Sequence, residues 1–287
     1  LPISDKEGIT VKRAIPVLFL FLFLAAFPQH GFSADPADPN WPWERYSFNF
    51  GGFVADVSSD VRLGSARLGT GIDVNLEDAL GLDTTSKVFR VGAAVRFGKS
   101  RRHQAEFSWF QLNRDASKTL GRDIEIDNVV YPIGTKVESF LDLQIWKAAY
   151  NYSFFLDDRI NLAAGIGVFV MPIKYGVNAS GIGETGEDIT APLPVVGLRA
   201  DFALTRKWFL KQTIDLFYLK VGDFKGAVVD SITAVEYKPW KNLGFGLAAN
   251  NFRVEIEADG EDYPNIDFVG NIKFEYVGLL LYGKLYY

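Results

Sequence analysis

The sequence predicts an all-β fold, a transmembrane up-and-down antiparallel β-barrel of about ten strands, and three observations predict it. From Arg45 onward, apolar residues alternate with polar or small ones at period two and almost nowhere at helical period. Several runs are more than twice the usual strand length of about 5–6 residues in globular proteins. The connectors alternate in length, which places short turns at one end and longer loops at the other. A soluble sandwich is the competing all-β reading, and it has no reason to sort its loops by end.

The strands follow in order. Residues 44–58 alternate through Tyr46, Phe48 and Phe50, and 86–98 through Phe89, Val91, Ala93, Val95 and Phe97. Residues 101–114 carry Ala105, Phe107 and Trp109. Two further runs, 137–155 and 158–176, share a two-residue connector; the second alternates from Ile160 to Val170. Residues 191–204 alternate from Val196 to Leu204, and 206–221 follow after Thr205. Runs 226–238, 241–257 and 267–287 complete the set, the last through Val277, Leu279, Leu281, Leu285 and Tyr287. Longer connectors are expected at 59–85, 115–136, 177–190 and 258–266. Arms within 59–76 and 118–136 leave eight or twelve strands as alternatives. Two strands change parity: 137–155 moves from Leu141, Leu143 and Ile145 to Trp146, Tyr150, Tyr152 and Phe154, and 241–257 moves from Leu247 to Phe252. A bulge would re-aim the side chains in this way. The alternative is an upper strand that stands above the lipid under different rules.

Composition excludes several classes. The 287 residues are 48% hydrophobic and 23% charged, with a formal net charge of −5, which excludes disorder. A mean hydropathy of +0.05 disfavours a polytopic helical membrane protein. With 0 Cys, disulfide scaffolds and cysteine-ligated metals are impossible. A pI near 5.2 disfavours nucleic acid as a partner.

Lys12 and Arg13 precede an apolar run from Ala14 to Phe27, too short to span a bilayer comfortably. Residues 1–34 read as a secretory signal peptide, cleaved after Ala34. Residues 1–10 stand ahead of a better start at Val11 and are read as not translated. A retained apolar anchor helix is the alternative. Residues 35–43 form a proline-rich periplasmic lead-in, and 44–287 form the barrel.

The two faces of the strands divide by chemistry. Trp109, Tyr150, Tyr152, Phe154, Trp208 and Tyr287 are expected to face outward as an aromatic girdle. In a sandwich the same rings would face a second sheet. The opposite face carries Arg90, Arg96, Glu106, Lys147, Arg199, Asp201, Lys211, Asp215, Asp230, Glu236 and Lys284. Lys or Arg on a lipid face costs about 2–4 kcal/mol at the midplane, so this set is expected in the lumen. Gly165, Gly167, Gly197, Gly244 and Gly246 leave room for long side chains opposite. A charge network that fills the lumen is the first reading. A narrow pathway for small polar solutes, or a binding cavity, is the alternative.

These features resemble those of Gram-negative outer-membrane β-barrels of the outer-membrane protein A-like or W-like size class. The likeness covers 44–287 and is architectural. Tyr282-Gly283-Lys284-Leu285-Tyr286-Tyr287 is similar to the C-terminal assembly signal of such barrels. Tyr287 and Leu285 fit it, whereas the glycine stands four rather than five places before the end. The stretch 71–82 also resembles a loop of uncharacterised proteobacterial barrels. The resemblance implies residence in the cell outer membrane after export through the periplasm. It further implies insertion by the outer-membrane assembly machinery through the last strand, with outer-membrane lipid and lipopolysaccharide as partners.

Catalytic constellations are scarce. Outer-membrane enzymes of this size use a histidine base at the outer rim or in a membrane-facing groove, and this chain has 2 His. His30 falls in the signal, and His103 falls beside a short periplasmic turn. The pairs Asp157-Asp158 and Glu77-Asp78 read as loop-solvating carboxylates. Glu184, Glu187 and Asp188 read as ordinary acidic loop residues, with a divalent cation shared with lipopolysaccharide as the alternative. No metal site and no cofactor are expected. The function expected is non-enzymatic, structural or surface-interacting, with a mostly packed polar lumen.

Overall fold

The computed structural model describes residues 42–63, 72–126, 129–221, 224–258 and 270–287. The proposed signal peptide and most of the lead-in lie outside these residues. Ten long strands form the wall: β1 (Tyr46–Leu63), β3 (Thr85–Phe97), β4 (His103–Thr119), β7 (Lys136–Leu156), β8 (Ile160–Ala179), β9 (Gly183–Ala203), β10 (Trp208–Val221), β11 (Phe224–Tyr237), β12 (Leu243–Ala258) and β13 (Gly270–Tyr286). Each pairs antiparallel with the next wall strand. β13 returns to β1 in a continuous register from Ser47↔Tyr286 to Leu63↔Gly270, so the sheet closes and leaves no edge.

The two arms left open by the strand count do not enter the wall. β2 (Ile72–Asn75) pairs only with the top of β1, and β5 (Ile124–Ile126) pairs only with β6 (Val129–Tyr131). Between β2 and β3 lies one short helix, α1 (Leu76–Leu80). The Asn75 side chain accepts from the Asp78 N–H at its start, and Gly81, at φ 77°, ends it in the left-handed conformation that glycine tolerates. Leu76, Ala79 and Leu80 face inward and are buried.

The connector expected at 177–190 is a correction. β8 runs to Ala179 and β9 starts at Gly183, so this loop is a tight turn with Gly181 at φ 87°. Its polar residues read as loop because they lie above the apolar belt, where a strand no longer needs an apolar outer face.

The parity changes have the same cause. β4 and β7 pair without interruption from His103↔Tyr152 to Thr119↔Lys136, and β12 keeps register with both neighbours. The only shift in β7 lies near its lower end, between Ser153 and Phe155. What inverts is the chemistry of each face. On β7 the outward Trp146, Tyr150 and Tyr152 give way upward to Gln144 and Asp142, while the inward Lys147 and Asn151 give way to Ile145, Leu143 and Leu141. On β1 the outward residues pass from Phe50 and Val54 to Asp56, and the inward ones from Asn49 to Phe53, Ala55 and Val57.

The barrel therefore has two storeys. Around the lower one, Phe107, Ile166, Leu198, Leu247 and Leu281 are exposed in an apolar belt, a surface suited to lipid and not to water, broken on β10 and β11 by outward Gln212, Ser231 and Thr233, which hydrogen-bond to one another. The upper storey is apolar inside and polar outside, as in a soluble barrel. Strand length agrees: 21 residues of β7 or β9 run roughly 70 Å at about 3.4 Å per residue. That is about twice the 9–11 residues a spanning strand needs. α1 and the β5–β6 hairpin close the upper core, where Leu80, Ile124 and Tyr131 are buried and the Tyr131 hydroxyl donates to Val177 O at 3.2 Å.

Candidate functional site

All eleven charged residues expected in the lumen point into the lower storey. Alternation along β3, β4, β7, β9, β10, β11 and β13 brings them to one chamber. Asp215 lies at its centre, 1% exposed, bonded by Lys147 and 2.9 Å from Arg199. Arg199 also reaches Glu106 at 3.2 Å, and Gln104 donates to Glu106 at 2.6 Å. Lys147 lies 3.8 Å from Asp230, which accepts from Asn250 at 2.7 Å. Arg96 lies 3.5 Å from Asp201, which accepts from Asn161 at 2.7 Å. Lys211 stands directly opposite Asp201 in the register, yet its ammonium goes to Glu236 (3.2 Å) and Glu44 (3.5 Å). Lys284 reaches Glu236 at 2.9 Å and also pairs with Glu44.

Among the expected small residues, Gly197 sits beneath these charged side chains and Gly246 beneath a ring. A Cβ on Gly197 would fall 2.5 Å from Asp215 Oδ1 and 2.8 Å from Arg199 Nη1, and the Tyr282 ring lies across the Cβ position of Gly246. A larger residue at either position would displace these side chains.

Glu44 and Lys238 were not anticipated. Glu44 lies two residues before β1, ahead of the alternation that starts at Arg45, so no periodicity marks it. It swings into the lower mouth and takes ion pairs from Lys211, Lys238 (2.6 Å) and Lys284. Charge count was the available signal: the expected set has six cations and five carboxylates. Trp43 holds the clamp in place. Its Nε1 donates to Asp157 O at 2.6 Å, and its ring meets Phe209 edge-on with centroids 6.3 Å apart.

Burial alone would raise the pKa of Glu44, but the ammoniums of Lys211, Lys238 and Lys284 outweigh it and hold the carboxyl well below its usual 4.5. Burial pushes Lys238 the other way, down to about 8, with Glu44 opposing. A depressed carboxyl pKa adds stability that is complete above the unfolded value and lost as pH falls through the folded one. The urea midpoint of the wild type is therefore expected to fall as pH drops below 4.5, and Glu44→Gln should fall less steeply over the same window. Equal slopes would remove Glu44 from the account.

The chamber has a roof. Phe53, Phe110, Phe169, Phe252 and Tyr276 are buried at the level where the inward face turns apolar. Their ring centroids lie 5.4–5.9 Å apart from neighbour to neighbour. Sequence alternation does not separate these rings from outward ones, because both occur at period two. Trp109 and Phe110 are adjacent and face opposite ways.

The six expected girdle residues all face outward. Trp109 stands at the upper edge of the belt with Trp146, ring centroids 5.7 Å apart. Tyr150, Tyr152, Phe154, Trp208 and Tyr287 lie toward the lower rim. His103 joins them there, stacked on Phe97 and with its Nδ1 2.7 Å from the Tyr150 hydroxyl. Asp157 serves its own turn, accepting from the backbone of Arg159 and Ile160 at 2.7 Å. Glu77 is a correction: it does not solvate a loop but lies 2.7 Å from Arg114 and accepts from Ser59 N. The side chains of Glu184, Glu187 and Asp188 lie outside the described residues. Among the described residues, no three His, Asp or Glu side chains gather as a metal site.

No family model matches the chain, and no curated protein matches it. Solved structures do share its fold. The outer membrane protease OmpT from Escherichia coli aligns with a TM-score of 0.52 at 9% identity, over 84% of this chain and 96% of that one. The transport unit of the autotransporter AIDA-I from Escherichia coli aligns with a TM-score of 0.42 at 8% identity, over 89% of this chain and 93% of that one. The Ralstonia pickettii toluene transporter TbuX gives 0.37 at 9% identity, over 85% and 90%. At 9% identity the likeness to OmpT is one of fold.

Proposed function

We propose that this ten-stranded barrel is a non-enzymatic, non-conducting protein of the cell outer membrane with a structural or surface-interaction role. One observation carries the reading: an aromatic roof closes the polar chamber, and an apolar core fills the storey above it. Such a lumen offers no continuous hydrated path. The long projecting storey is the part available to partners outside the cell. Lys87 and Arg253 stand outward just above the apolar belt, placed to meet lipopolysaccharide phosphates. The outward Leu285 and Tyr287 on and after the closing strand suit recognition by the assembly machinery, and residues 1–34 would direct export.

Catalysis is disfavoured on chemistry. A hydrolase of this architecture needs a base near its site, and His103 is engaged in the lower aromatic rim, far along β4 from the projecting storey. Refolded protein in planar bilayers is expected to show no conductance steps in any salt. Reproducible steps would overturn the closed-lumen reading. Failure to fractionate with outer membranes, together with loss of heat-modifiable gel mobility, would overturn the membrane assignment.

A further inference from the structure

We propose that the chamber beneath the aromatic roof is a binding site for a small oxyanion carrying an O–H group, hydrogenphosphate in its simplest form, with Arg90 as its principal contact. The inference rests on the closed-lumen reading, which makes the chamber a pocket and not a passage. The cavity measures about 200 Å³, room for roughly six or seven waters. Glu44 and Arg45 line it at the lower mouth, so entry is from that end.

Charge is the first argument. With Glu44 and Lys238 included, seven cations meet six carboxylates in the chamber among the described residues; Arg45, exposed at the mouth, stands outside this count. Each cation but one lies within 4.0 Å of a carboxylate among the described residues. The exception is Arg90. Its Nη1 donates to Asn250 Oδ1 at 3.0 Å, and its guanidinium lies 5.1 Å from the Phe110 ring centroid. Both partners are neutral, and Asn250 Oδ1 already accepts from the Tyr276 hydroxyl. A guanidinium has five N–H donors in a fork suited to carboxylate or phosphate. Arg90 therefore lines the cavity with donors to spare and no counter-charge of its own.

The second argument is an acceptor. Asn49 Oδ1 is buried and has no hydrogen-bond partner, and Asn49 lines the same cavity. Arg90 stands opposite Gly51 across β1 and β3, and Asn49 is the next inward residue below Gly51. The two side chains are thus diagonal neighbours, and a rotation of the Asn49 amide would bring its oxygen to a ligand held by Arg90. A ligand that satisfies both must accept from Arg90 and donate to Asn49. Hydrogenphosphate does so; sulfate, of like size and shape, has no O–H to give.

Calorimetric titration of the refolded full chain near neutral pH tests this with inorganic phosphate, sulfate and glycerol 3-phosphate. Saturable one-to-one phosphate binding is expected, at least tenfold tighter than for sulfate; glycerol 3-phosphate binding tighter than phosphate would overturn free hydrogenphosphate as the ligand in favour of a phosphate monoester. Arg90→Gln should weaken it at least tenfold, and Arg90→Lys should restore part of the loss. Asn49→Ala, which keeps every charge, should narrow the preference over sulfate. No saturable phosphate binding, or binding unchanged in Arg90→Gln, overturns the site. Sulfate binding as tightly as phosphate overturns the O–H requirement. Conductance through the barrel would overturn the closed lumen instead, and the two failures are read by different measurements.

Discussion

Asp215→Asn is expected to destabilise the folded barrel by about 3–5 kcal/mol, the usual cost of removing one partner from a buried ion pair. The substitution keeps the shape and removes the charge. Lys147 and Arg199 would then remain buried, 5% exposed each, with only Asp230 at 3.8 Å and Glu106 at 3.2 Å to face them. The urea midpoint, read from heat-modifiable gel mobility, reports the loss. Adding Lys147→Met should recover part of it, because one stranded cation is then gone and its stem is replaced by apolar volume. A double variant no more stable than the single one would show that geometry and not charge is at stake.

Phe252→Ala should cost a similar amount, about 3–5 kcal/mol, for a different reason. Phe252 is 1% exposed and stacks on Tyr276 at 5.4 Å, with Phe169 at 5.9 Å and Phe274 at 6.3 Å. Truncation leaves a cavity between the polar chamber and the upper core. Leu279→Ala is the control. Leu279 is outward and exposed, so its loss leaves no internal void and should cost clearly less. Equal midpoints for the two variants would mean that the roof is not a packed layer. A Phe110→Ala, Phe169→Ala, Phe252→Ala triple variant that still folds should enlarge the chamber upward but remain non-conducting, because the apolar upper core still closes the lumen.

Strand positions were legible because the alternation is a direct print of the pleat. Their upper ends were not. The rule that outward means apolar holds only beside lipid, so the outward Gln144 and Asp142 read as a change of parity within 137–155, and the strand ends at 59–63, 115–119 and 183–190 read as connectors, when all are strand residues above the lipid. The eleven lumen charges were legible because Lys and Arg have no other tolerable place in a membrane strand. Their clasp at the lower mouth was not, since Glu44 precedes the periodic pattern and Lys238 lies in a turn. The roof stayed hidden for a third reason: Phe53, Phe110, Phe169, Phe252 and Tyr276 look like girdle aromatics until it is known which parity faces in.

The inversion of the two faces also sets how deep the molecule sits. On β1 the step from Val54 to Asp56, on β3 from Phe89 to Lys87, and on β13 from Val277 to Glu275 mark one rim around the wall. Sinking by a residue pair would carry this ring of charges into hydrocarbon, and rising by one would bare the last apolar ring to water. Each displaced Lys or Arg costs up to about 1 kcal/mol near the interface and more with depth. Repeated on the strands that carry the step, that penalty acts as a restoring force on both immersion and tilt, and holds the outer storey at a constant height above the bilayer.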